Sequence, residues 1–185
     1  MWQHTRTSLR ILTLTIFLGA SVAVLLAQPG LSHAEGRELR LTGGAPSIDT
    51  LLDQFLAALA ARDEQALRRL RVTETEYREI IIPGTVKPGE PLRQVAEQPS
   101  QFFWSMLNQR SEDVSRVILK KWGGHRYIRK ALRFTRGSRQ FASYTAHGDV
   151  RLDVEDEHHD GDELRAGAIA EVAGRYKFIS FYSNN

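Results

Sequence analysis

Apolar and polar positions divide this chain into three stretches with different periods. Residues 11–27, ILTLTIFLGASVAVLLA, are apolar and uncharged throughout, and they follow Arg6 and Arg10. The next stretch repeats its apolar residues at helical spacing. Ser47 stands as an N-cap before Ile48, Leu51, Leu52, Phe55, Leu56 and Leu59, which form one face of a helix. Asp63 caps a second short helix carrying Ala66, Leu67 and Leu70. Thr73 and Glu76 have the spacing of a capping box and open a third helical turn toward Ile82, ended by Pro83-Gly84. From Ser100 a long helical pattern carries Phe102, Phe103, Met106, Leu107, Val114, Val117, Ile118 and Leu119. Ser111-Glu112-Asp113 reads as a break with a fresh cap, and Gly123-Gly124 as the stop.

Beyond residue 125 the period becomes alternating. Residues 126–134, 140–152, 164–173 and 175–183 read as four strands, with turns at Gly137-Ser138 and Gly174. Helices followed by hairpin-connected strands predict an α+β domain with an antiparallel meander. A single domain is expected over 47–185. Ahead of it, 35–46 reads as a flexible lead-in because it combines Gly43-Gly44 and Pro46 with little apolar content. Residues 83–99 contain four of the six prolines and read as a loop or lid.

The first stretch has the layout of an export signal. Positive residues precede an apolar segment, a Pro29-Gly30 break and the small-x-small triplet Ser32-His33-Ala34. Its 17 residues are short for a bilayer core of roughly 30 Å, so cleavage of 1–34 is the expectation. An uncleaved anchor in the inner membrane is the alternative. In that case 11–27 would be the chain's one membrane contact. Either way residues 35–185 are expected outside the cytoplasm, in the periplasm or secreted.

Composition narrows the chemistry. The chain has no cysteine, which excludes disulfides, thiolate metal sites, cysteine nucleophiles and lipid attached to cysteine. Its formal charge is +3, but Arg6 and Arg10 lie in the export segment. The rest carries 23 basic against 22 acidic residues, a net of +1, which gives no general case for nucleic-acid binding. Charge is uneven locally. Residues 116–139 are rich in Lys and Arg with no acid, whereas 153–163 hold seven acids and no base.

In order and texture the chain resembles the nuclear transport factor 2-like superfamily, which includes polyketide-cyclase-like and ketosteroid-isomerase-like proteins. The resemblance rests on the opening IDTLLDQFLAALAARDEQAL, further short helices, and a closing strand of the type GRYKFISFY, and it covers roughly 48–183. It implies a curved sheet wrapped around a cone-shaped pocket, with helices closing one side. It also implies functions ranging from non-enzymatic binding to cofactor-free isomerase, dehydratase or hydrolase chemistry, and it makes a homodimer plausible. The acid and Tyr/Asp pair of the isomerase branch have no residue-by-residue counterpart here. The proline-rich 83–99 departs from the compact pattern.

Tyr77, Trp104, Asn108, Tyr127, Tyr144 and His147 are the pocket candidates, being polar-tipped or amphipathic residues on elements that would line such a cone. They suit a small apolar or amphipathic ligand, or a partner docking on the sheet. The competing reading makes the aromatic ones core filler. Trp104 and Asn108 share a helix face, whereas Tyr144 and His147 point apart on a regular strand. His147 and Asp149 share a strand face and form a weak acid/base candidate, with no nucleophile motif beside them. His158, His159 and Asp160 are weak metal candidates, since the loop lacks an EF-hand frame and reads better as a solvated hairpin. No cofactor is expected. Arg129 and Arg133 are expected on one face of a basic strand that could meet an anionic surface.

Overall fold

The computed structural model describes residues 39–183, so the apolar run 11–27, the cleavage site at Ala34 and the first part of the lead-in lie outside the described residues. Helix α1 (Ile48–Ala60) begins where Ser47 Oγ accepts the Thr50 N–H at 3.0 Å, and α2 (Glu64–Arg69) where Asp63 accepts the Ala66 N–H at 2.8 Å. Each cap satisfies an otherwise orphaned donor and contributes about 1 kcal/mol. The capping box opens α3 (Glu74–Glu76): Thr73 Oγ1 accepts from the Glu76 N–H and Glu76 Oε2 accepts from the Thr73 N–H. The helix runs on through a π-helical turn (Tyr77–Ile81) into α4 (Ile82–Gly84).

Helix α5 (Glu97–Trp122) is continuous over 26 residues, which corrects the break expected at 111–113. Ser111 is fully buried within it, and the Ser115 hydroxyl donates back to the Ser111 carbonyl at 2.7 Å. Ser111 Oγ itself has no hydrogen-bond partner, so it caps no new helix start and the helix runs through it. Pro99 falls in the first turn, where its missing N–H has no partner to lose, so the proline-rich connection shrinks to 85–96.

Five strands follow: β1 (Ile128–Phe134), β2 (Ser138–Gln140), β3 (Thr145–Glu155), β4 (Gly161–Val172) and β5 (Arg175–Phe181). They form an antiparallel sheet in the order β1-β3-β4-β5, with β2 also on β3, and the sheet does not close. The protein is therefore α+β. A tight turn does close at Gly137, whose N–H donates to the Phe134 carbonyl at 2.9 Å, but the chain does not reverse there as a hairpin would. β1 pairs with one half of β3 and β2 with the other, so they are two pieces of a single edge strand interrupted at 135–137. Opposite the interruption, Gly148 and Asp149 bulge out of β3, and the Gly148 and Asp149 carbonyls still accept from the Arg136 and Thr135 N–H groups. The bulge bends the edge without ending its pairing. The chain reverses later, where the Phe141 N–H donates to the Tyr144 carbonyl at 2.8 Å.

One apolar cluster joins Phe55 and Leu59 of α1, Leu67 of α2, Ile118 of α5, and Leu152, Leu164, Ile169 and Phe178 of the sheet. The Phe55, Phe178 and Phe181 rings meet at centroid distances of 5.0–5.7 Å. A second cluster gathers Leu41, Val72, Ile80, Ile81, Tyr144, Ala170 and Val172. Consecutive residues Ile169 and Ala170 enter different clusters, so both sheet faces are covered at this end of β4. Two short segments extend the pairing at β5. Leu70–Val72 lies parallel to it, and Ala45 exchanges both backbone hydrogen bonds with Tyr176 at 3.0 Å. Over its described residues the lead-in is part of the domain: Leu41 and Ala45 are buried, and Ala45 is held by backbone pairing the composition does not reveal.

The two charge blocks cancel within the chain. The pairing of β1 with β3 sets Lys130 on Glu155 at 3.0 Å, while Arg133 meets Asp153 at 2.6 Å and Glu163 at 2.7 Å. Arg129 does not share that face. A register shift between Arg129 and Ala131 turns it toward α1, where it pairs with Asp49 at 2.8 Å. Exposed pairs of this kind contribute little to stability, because water screens them.

Asp149 is the buried member of this network, held by the Thr135 hydroxyl, Arg165 and Arg151. Burial alone would raise its carboxyl, but these three partners outweigh it and hold the group below the usual carboxylate range. A depressed carboxylate contributes stability that is present above its unfolded-state value, about 4, and lost as pH falls through the folded value. Asp149→Asn is therefore expected to cost roughly 1–3 kcal/mol at pH 7. Its melting temperature should converge on the parent's below about pH 4, followed by circular dichroism across the pH range.

Candidate functional site

The six pocket candidates do not converge on one site. Tyr77 and Trp104 meet at 5.6 Å between ring centroids, and Asn108 lies one turn beyond Trp104 on α5. Tyr144 is buried in the same cluster as these rings, its hydroxyl 3.0 Å from Thr85 Oγ1. Burial raises the Tyr77 and Tyr144 phenols above their ordinary value, so both stay protonated at neutral pH. Tyr127 lies elsewhere, edge-on to Trp122 in a groove of about 930 Å3 between α1 and residues 124–129.

His147 is also separate. Its Nδ1 lies 2.7 Å from Ser138 Oγ and its Nε2 lies 3.1 Å from Glu171 Oε2. A carboxylate can only accept, so Nε2–H donates to Glu171, and Nδ1 lies within hydrogen-bonding distance of the Ser138 hydroxyl. This corrects the His147–Asp149 pairing. The bulge in β3 interrupts alternation between them, so Asp149 turns to Arg165 and His147 to Glu171. None of the clefts described here is lined by Ser138, His147 or Glu171. In the acidic hairpin, Asp156 Oδ1 accepts the His158 and Asp160 N–H groups and His159 Nδ1 meets Glu155 at 2.7 Å. No cluster of three or more metal-ligating side chains occurs among the described residues.

The chemistry concentrates around Trp104 and Asn108. A cleft of about 530 Å3 is lined by both, with Thr42, Arg68, Arg71, Glu112 and Lys177. Trp104, Asn108 and Glu112 repeat at four-residue spacing along α5 and so present one stripe. Asn108 accepts from Arg71 Nη1 at 3.2 Å and donates to Glu112 at 3.1 Å, and Glu112 pairs with Arg68 at 3.3 Å. Lys177 is committed to buried Glu76, with Nζ 2.9 Å from both carboxylate oxygens.

Arg71 is the residue that sequence patterning missed. It is 3 % exposed, and its guanidinium carbon lies 5.9 Å from the Trp104 ring and 6.0 Å from the Phe181 ring. Its Nε and Nη2 have no hydrogen-bond partner. Burial lowers its pKa to about 10, partly offset by Glu112, so it remains charged at neutral pH. Nothing in the sequence marks it, because its burial arises from Leu70–Val72 lying along β5. Glu112 was hidden by the break assigned to 111–113. The exposed Phe102, Phe103 and Met106, by contrast, belong to the same helical pattern but lie on the surface.

The comparisons add no relatives: no protein-family model, no curated protein and no solved structure matches this chain.

Proposed function

We propose that this chain is an exported binding domain that holds a small amphipathic molecule in the cleft between α5 and the Leu70–Val72 segment. The observation that carries the reading is the convergence of an aromatic wall, Trp104 backed by Tyr77, with the polar groups of Asn108 and Arg71 around one cleft of about 530 Å3. Apolar walls with a few placed polar groups are what small-molecule sites require, the walls for affinity and the polar groups for orientation. A cavity of this volume lies within the range such sites occupy, ~300–1,000 Å3. The broader proposal keeps the nuclear transport factor 2-like reading, with helices packed on a curved sheet around a cone-shaped pocket. The order of helices then antiparallel strands supports it. Export is proposed from Arg6, Arg10, the run 11–27 and Ser32-His33-Ala34.

Native mass spectrometry of the protein purified from the producing cell's envelope tests both parts. The expected species begins after Ala34 and carries a small-molecule adduct, which Trp104→Ala loses while remaining folded by circular dichroism. Loss of the aromatic wall is expected to weaken binding at least tenfold, about 1.4 kcal/mol. An intact N-terminus on a cytosolic protein would remove the export reading, and an adduct unaffected by Trp104→Ala would remove the cleft.

A further inference from the structure

We propose that the ligand of this cleft carries a carboxylate, and that Arg71 receives it through its Nε–Nη2 edge. The inference rests on the binding reading above and adds the chemical class of the ligand. The two nitrogens without a partner are themselves buried from solvent, so a carboxylate reaches them only as the surrounding side chains shift, and they are not an arbitrary pair. Nε–H and the neighbouring Nη2–H are the parallel donors on one side of the guanidinium plane, the fork that matches the two oxygens of a carboxylate. The opposite end, Nη1, is held by Asn108, which fixes the plane of the fork. The rings of Trp104 and Phe181 lie near the same guanidinium, so an apolar body attached to the carboxylate meets aromatic surface.

The charge balance of the cleft selects a monoanion. Arg68 is paired with Glu112 and Glu64, Arg69 with Asp63, and Lys177 with Glu76. Among the described residues lining the cleft, Arg71 is the one cation with no carboxylate in ion-pair range. One uncommitted positive charge beside the Glu112 carboxylate suits a single negative charge and disfavours a dianionic phosphate. The arrangement is also costly without a ligand. A buried charge lacking two of its hydrogen bonds destabilises the fold, and such a feature is expected where binding completes it. The same cost gives the proposal an independent readout in the empty protein.

Isothermal titration of the full chain with 2-naphthoate, its neutral analogue 2-naphthamide, and inorganic phosphate tests this. Naphthoate is expected to bind at least tenfold tighter than naphthamide, and phosphate more weakly than naphthoate. In Arg71→Met, naphthoate binding should fall at least tenfold and by a larger factor than naphthamide binding, with circular dichroism certifying the fold. The ligand-free variant should melt higher than the parent. Arg71→Lys keeps the charge without the fork and should also lose naphthoate at least tenfold. Naphthamide binding as tightly as naphthoate, or naphthoate binding unchanged in Arg71→Met, would overturn the carboxylate and leave the binding reading standing. Tighter binding of phosphate would overturn it in favour of a dianion. Failure of both naphthyl compounds at millimolar concentration would overturn both readings.

Discussion

Lys177→Met is expected to lower the stability of the domain by about 3–5 kcal/mol at neutral pH. Lys177 Nζ donates to both oxygens of Glu76 at 2.9 Å, and the two side chains are 4 % and 5 % exposed. The Glu76 carboxylate also accepts the Thr42 N–H at 2.6 Å and the Thr73 N–H at 2.7 Å. One carboxylate therefore joins the chain before α1, the start of α3 and strand β5. Removing the ammonium leaves it buried with two backbone donors and no counter-charge. The pair as a whole need not stabilise the fold, because taking two charges from water offsets much of their attraction. The single variant is nevertheless severe, since only half of the pair is removed. Lys177→Met combined with Glu76→Gln should recover part of the loss, as the amide carries no charge and keeps an acceptor oxygen for one of the two backbone donors. Urea unfolding of parent, both singles and the double gives the coupling. A cost below about 1 kcal/mol for Lys177→Met would mean that water reaches the pair.

Gly167→Ala should destabilise by roughly 3 kcal/mol or more, which places it among the rare severe single changes. Gly167 has φ +140°, a region that side chains rarely adopt, at the place where β4 pairs with Phe181 of β5. A Cβ there would overlap the Ser180 carbonyl oxygen and come within 3.0 Å of Phe181 Cα. Both obstacles are backbone, and Phe181 is itself fixed in the Phe55–Phe178 ring cluster, so neither moves without opening β4 from β5. Gly174 is the control. It has φ +69° in the β4–β5 turn, and its Cβ would meet nothing within 4 Å. Gly174→Ala should cost only the left-handed backbone penalty, about 1–2 kcal/mol. Comparable denaturation midpoints for the two variants would show that β5 yields at Ser180.

Local signals were legible wherever one residue and its near neighbours suffice. Ser47, Asp63 and the Thr73–Glu76 box each open a helix through hydrogen bonds that span three residues, and the helical face from Ile48 to Leu59 is buried as its spacing implies. The alternating stretch after residue 125 likewise becomes antiparallel strands. Reading failed where a residue's role depends on a distant segment. Ser111 resembles a cap in sequence but is buried inside α5. Gly137-Ser138 resembles a hairpin turn, yet the edge strand passes through it because β3 bulges opposite. Trp104 and Asn108 were visible as one face of a helix, whereas Tyr127 and His147 were grouped with them although the fold sets them apart.

The first three helix starts and the α+β class follow from spacing and composition, since each depends on neighbours in the chain or on a sum over it. The sheet order, the bulges and the Arg71 cleft do not. They arise when Leu70–Val72 lies along β5 and α5 passes as one helix beside it, which brings residues 71, 104, 108 and 177 together. A lone arginine in a connector carries no local signal. Its burial, its neighbouring rings and its uncommitted fork are properties of contacts between segments far apart in sequence.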